Sequence, residues 1–423
     1  MNHDQVINAR SRRPVASLRR GAAIVLVAYQ AVAFAGCRSA GPAADAQAPA
    51  AAPATTAERA RLLSSADEVA GLIPGEDCEV DRSSDRASIV ECCIALGDLD
   101  RAEAFAAKIE NWRRGDELVR IGRARLAAGD RAGAERCAAR CLADAGGWRD
   151  WGISRVSAGA AALYVALGEP SRAKGLLPPD APDLQGAFEA SRVATVPPSE
   201  LPALADAFDA ALRTQNLDVA RSALDGHLEI LRRTLGTGDD AAARRARSAL
   251  DAGIGGLPPD LQVTYLLRVA DALAAAGRVD DARTAVARAG EAFSKANLEA
   301  QSRAATGVPI AEMEFRLGDR AAALARVEGL RADFEARREE ITDLRRATAL
   351  RALAEGFWML GERDRAIACY ADALREGAVN PNARPRANDL CETLVSMARC
   401  GFVPDAAMGR TIASTRAGLV APW

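Results

Sequence analysis

A turn glycine followed five residues later by alanine recurs along this 423-residue chain. "LGDLDRAEAFAA" from Leu96 is one copy, and "AAGDRAGAERCA" from Ala127, "AAGRVDDARTAVA" from Ala275 and "LGERDRAIACYADAL" from Leu360 are others. The anchors are Gly97, Gly129, Gly168, Gln215, Gly238, Gly277, Gly318, Gly361 and Gly401. The fifth residue after each is alanine: Ala102, Ala134, Ala173, Ala220, Ala243, Ala282, Ala323, Ala366 and Ala406. Alanine is common here, but nine matches in nine at one offset mark a repeat. The later anchors are about 40 residues apart, Gly97 and Gly129 are 32 apart, and the interval from Gly129 to Gly238 is less regular.

The physics of one unit follows from its residues. Glycine ends a helix because it adopts the left-handed conformation without a Cβ clash. An acid or hydroxyl just after it accepts from the free N–H groups of the next helix. Asp98 or Asp100, Asp130, Ser171, Asp218, Asp280 and Asp364 fit that role. The alanine lies in the second helix, where a small side chain lets the first approach closely. A helix pair cannot bury its apolar faces alone, so such units stack. Composition agrees: 49% of residues are apolar but only 4% aromatic, which leaves mostly Ala, Leu and Val. Ala and Leu favour helix, and apolar alternation at period two is scarce.

"ATALRALAEGFWMLGERDRAIACYADALREG", residues 347–377, resembles a tetratricopeptide repeat. Ala354 is the small residue of the first helix, and a Gly-Glu turn, Ala366, Tyr370 and Ala373 follow. Residues 106–142 resemble the divergent repeats of this kind in bacterial exported proteins. The resemblance spans residues 60–423, strongest over 86–142 and 262–377. It is weakest over 178–260, where "LLPPDAPDLQGAFEASRVATVPPSE" breaks the period as a long loop or as a seam between two halves. It implies an all-α, right-handed α-solenoid of about seven to nine stacked helix-turn-helix pairs. The expected divisions are 58–177 for N-terminal repeats, 178–260 for an irregular helical segment, and 261–423 for C-terminal repeats and a capping helix.

The N-terminus reads as an address. Arg10, Arg12, Arg13, Arg19 and Arg20 precede the apolar run 21–36, which suits a signal-peptide core and is short for a membrane span. "FAGC", ending at Cys37, resembles a bacterial lipoprotein lipobox, with Phe34 where Leu or Val is commoner. That resemblance implies a signal over 1–36 and lipidation of Cys37. A plain signal peptide cut near Ala35 and an uncleaved anchor are the alternatives. The Ala/Pro-rich stretch within 37–57 reads as a tether. The expectation is an exported, membrane-anchored lipoprotein facing the periplasm or the cell exterior.

Chemistry has little support in the residues. No phosphate loop and no H-E-x-x-H occurs, and only His227 lies beyond the signal. His227 reads as packed. Asp98 and Asp100 read as caps, and Glu339 and Glu340 as a solvated helix face. Cys78, Cys92, Cys93, Cys137, Cys141, Cys369, Cys391 and Cys400 contain no C-x-x-C pair and read as buried thiols, with disulfides open to an exported chain. "GGWRDWGIS", 146–154, is either an exposed binding spot or a plug between repeats. The chain is expected to be non-enzymatic, with no catalytic residue, cofactor or metal.

The family resemblance implies a protein-binding scaffold whose first helices line a concave surface. A groove-facing position six residues before the turn glycine gives Glu91, Arg123, Ala162, Asp209, Arg232, Asp271, Glu312 and Glu355. The run Asp271, Glu312, Glu355 would favour a partner with a basic segment. Alternatively, these acids only solvate the face or pair with arginines. Net charge is −2, which gives no reason to expect nucleic acid. An envelope assembly or secretion accessory is the second functional reading, and a cysteine-based metal or redox protein the third.

Overall fold

The computed structural model describes residues 54–75, 78–145, 152–177, 181–214 and 216–423. The predicted signal, Cys37 and most of the tether lie outside the described residues, as do Trp148, Trp151 and Gln215. The described residues form 19 α-helices and no strand.

The helices alternate between two concentric sets. The inner set is α2 (Glu79–Ala95), α4 (Arg113–Ala127), α6 (Gly152–Ala166), α8 (Pro182–Arg192), α10 (Leu217–Thr237), α12 (Pro259–Ala275), α14 (Ala300–Arg316), α16 (Asp343–Met359) and α18 (Ala383–Cys400). The outer set is α3 (Leu99–Ala106), α5 (Arg131–Ala145), α7 (Pro170–Lys174), α9 (Leu201–Leu212), α11 (Asp240–Gly255), α13 (Val279–Lys295), α15 (Arg320–Ala336) and α17 (Arg363–Gly377). Each inner helix packs on the next inner helix, and most also pack on the outer helix that follows them in sequence. This succession is an all-α solenoid.

The repeat logic is visible residue by residue. All eight anchor glycines have left-handed φ, between 69° and 88°. Asp98, Asp130, Asp239 and Asp319, each immediately after its glycine, accept from the backbone N–H three residues on. The cap position is thus fixed. Asp100, Asp218, Asp280 and Asp364 lie in first turns rather than at caps, and Ser171 lies inside α7. Ala102, Ala134, Ala173, Ala243, Ala282, Ala323 and Ala366 are buried against their partner helices. Ala220 is half-buried and Ala406 exposed, because Ala406 opens a helix after a longer loop. Arginines stitch neighbouring units: Arg131, Arg283 and Arg320 donate to the carbonyls of Leu167, Leu317 and Leu360, each just before the next turn glycine.

The irregular stretch is helical too. The short α8 keeps an inner place between α6 and α10, while α9 packs on α10 and α11 instead of on α8. Proline at the start of each of these helices supplies the break in period and a preset φ.

The solenoid also closes on itself. The helix α1 (Thr56–Leu72) packs along α18 as extensively as a second helix packs on its own first helix, and α2 also touches α18. The Ala54 N–H donates to the Gly401 carbonyl at 2.9 Å. Gly401 is the turn glycine of the last unit, and Thr55 caps α1 through a reciprocal bond with Glu58. The first described helix therefore takes the place of the second helix of the last pair. The expected cap, α19 (Ala406–Ala417), instead packs outside on α17 and α18. Leu63, Ala66, Val69 and Ala70 of α1 are buried in this joint. Arg416–Glu68 (2.6 Å) and Arg384–Asp81 (3.5 Å) bridge its rim.

Candidate functional site: the inner face of the ring

Closure turns the expected open groove into a lumen. Every substantial contact between inner helices is with a ring neighbour. Nine helices spaced evenly at packing distances of about 9–10 Å, each about 10–12 Å thick with its side chains, would leave a space of roughly 15 Å, enough for an extended chain or one helix.

The face turned to this space is regular. On α4, α12, α14 and α16, the residues 13, 9, 6 and 2 before the turn glycine all escape full burial. This i, i+4, i+7, i+11 stripe is one helix face. It reads Asp116, Arg120, Arg123, Ala127 on α4, and Thr264, Arg268, Asp271, Ala275 on α12. It reads Ala305, Pro309, Glu312, Arg316 on α14, and Thr348, Ala352, Glu355, Met359 on α16. Pro309 is tolerated there because its missing N–H leaves a carbonyl facing water rather than core.

Acids on one inner helix bind arginines on the next. Glu91 pairs with Arg120, Asp116 with Arg155 (2.8 Å), Asp225 with Arg268 (2.5 Å), Asp271 with Arg316 (2.8 Å) and Glu355 with Arg399 (3.3 Å). The Ser396 hydroxyl donates to Glu355 at 2.7 Å. The expected acidic run is therefore largely neutralised: of its three members only Glu312 has no ion pair of its own. Burial raises the Glu312 pKa, opposed by Arg316 and reinforced by Glu355 and Asp271. The three acids do lie near one another across α12, α14 and α16. Asp209 is a correction. It sits on α9, where it holds Arg245 (2.6 Å) and approaches His227 (3.0 Å), because α9 leaves the inner set. Ala162 is buried, and Arg232 pairs only loosely with Glu229 (3.7 Å).

Arg123, a predicted groove position, is exposed to water, yet surrounding protein still lowers its pKa, as befits a group within a concavity. One group, Glu117, was not legible from spacing. Glu117 is 3% exposed on α4 and one carboxylate oxygen lacks a hydrogen-bond partner. Burial pushes its pKa up to about 8, against the pull of Arg120.

The remaining candidates are structural. His227 is fully buried, edge-on to Phe208, and burial lowers its pKa. Glu340 pairs with Arg337 (2.9 Å) on the surface. All eight described cysteines are free thiols. Burial pushes Cys92 and Cys369 up to about 11 and Cys93, Cys137, Cys141 and Cys400 up to about 12, away from the reactive range. Among the described residues no cluster of His, Cys, Asp and Glu is arranged to hold a metal ion. Among them, too, no helix is long and apolar enough to cross a membrane.

No family model matches the chain. No curated protein matches it at a significant level either.

Proposed function

We propose that this chain is a non-enzymatic binding scaffold of the cell envelope, built from tetratricopeptide-like units, that holds a polypeptide segment inside its ring. One observation carries the reading: on α4, α12, α14 and α16 the uncovered faces share one register within a closed ring of inner helices. Their ladder of acids and arginines offers alternating charge to a bound chain. Glu312, unpaired between two paired acids, is the seat for a lysine or arginine of the partner. A charge-assisted bond there would hold register more than it adds affinity. In the same reading Cys37 carries the lipid anchor and the Ala/Pro-rich tether sets the ring off the membrane. Two or three acyl chains hold a protein firmly.

The test is in-cell crosslinking with probes placed on the inner stripe, followed by mass spectrometry of the captured species. Capture of a single envelope protein, reduced at least about ten-fold in Glu312→Arg, is the expected result. Equal capture by that variant, from an equally folded protein, refutes the seat. Capture only from probes on the outer helices refutes the lumen.

A further inference from the structure

The ring poses a topological problem. A lumen closed on all sides receives a chain only by threading of an end, unless the wall parts. Every junction but one between neighbouring units is continuous along the backbone. The exception lies between α18 and the pair α1 and α2, which close the ring through non-covalent contacts alone.

That junction also buries a polar group poorly. Asp85 of α2 is 4% exposed and its Oδ2 has no hydrogen-bond partner. Around it are Asp81 from α2, Asp389 and Glu392 from α18, and Arg351 from α16. Arg351 is already committed to Asp389 at 2.9 Å. Such a group weakens the closed state relative to a parted, hydrated one. The other side of the ledger is apolar: Leu63, Ala66, Val69 and Ala70 of α1 are buried, and α1 packs chiefly on α18. A joint with a sizeable apolar seal, an unsatisfied polar group and no covalent link is the place where the wall opens first.

We propose that α1 and α2 together form a strap: they part reversibly from α18 in the otherwise folded protein and open the ring sideways, so that an internal stretch of a partner polypeptide enters without threading. The admission of a partner rests on the scaffold reading above. The parting itself does not.

The chain carries its own reporters. Cys92 of α2 donates its thiol toward the Val395 carbonyl of α18 at 3.8 Å, and Cys391 of α18 is fully buried near Asp85. Both are covered by the closed joint. Cys137 and Cys141 on α5 are equally buried in the body of the solenoid. Time-resolved alkylation of the full chain under native conditions, read thiol by thiol by mass spectrometry, needs no partner. Cys92 and Cys391 are expected to react at least about ten-fold faster than Cys137 and Cys141, since local opening costs less than global unfolding. Leu63→Ala, which empties the apolar seal, is expected to raise the two joint rates by about ten-fold or more while leaving the α5 rates unchanged. Four thiols reacting in step in the natural protein overturn the strap. So does a Leu63→Ala variant that speeds all four alike, because α1 and α2 would then leave only on global unfolding. Unequal labelling together with failed lumen capture would leave the strap intact and remove the scaffold reading.

Discussion

Replacing Glu117 by glutamine tests whether the inner wall hides a neutral acid. Its carboxyl is buried on α4 with Arg120 as the nearest cation, at 3.7 Å, and Arg120 also binds Glu91. Burial raises the folded pKa from 4.5 to about 8. The sign follows directly. Between those values the folded chain holds a proton that the unfolded chain has released, so this group's contribution is full below about pH 4.5 and is lost as pH rises toward 8. One pKa unit corresponds to about 1.4 kcal/mol, so between the two values the loss approaches about 1.4 kcal/mol per pH unit. Glutamine keeps the shape and cannot ionise. Urea unfolding of both proteins at pH 5, 6.5 and 8, followed by circular dichroism, gives the difference free of other titrating groups. The variant should gain on the natural protein steadily with pH, with m-values unchanged. Parallel stability curves would refute the reasoning and show that Glu117 ionises as if in water.

Two further outcomes follow from the repeat and the address. Ala366→Leu should destabilise by about 1–3 kcal/mol, because no space remains at a fully buried crossing, whereas Ala406→Leu should change stability by less than about 0.5 kcal/mol; paired denaturant curves check both. A cell grown with labelled fatty acid should label the natural protein and not Cys37→Ser, and label in both would exclude Cys37 as the anchor.

The local grammar of the fold was legible because it depends on residues close in sequence. Gly361 ends one helix and Ala366 admits the crossing five residues later, so both read directly from the chain. The same register located the inner stripe. The position six before each glycine left two readings of its acids open, and for Asp271 and Glu355 the arginine-paired one holds. Arg316 and Arg399, two before theirs, neutralise Asp271 and Glu355 from the next helix. Asp209 was misplaced because Gln215 served as an anchor without a glycine, and the helix before it packs outside. Ring closure had no local signal. The turn preceding α1 is made by Gly401, at the far end of the chain, and nothing in "TAERARLLSSADEVAGL" names its partner. Buried Glu117 was invisible for a similar reason: an acid beside Asp116 on a charged helix reads as solvated until the packing is known.

The central claim is that α1 serves as the second helix of the last pair, and hydrogen exchange on the full chain tests it most directly. A helix of 17 residues is marginal alone in water, so protection of α1 must come from its dock on α18. The α1 amides from Leu63 to Leu72 are expected to be protected over minutes to hours, more than those of the externally packed α19. Exchange of α1 within seconds, beside a protected α18, would contradict that claim and return the chain to an open solenoid.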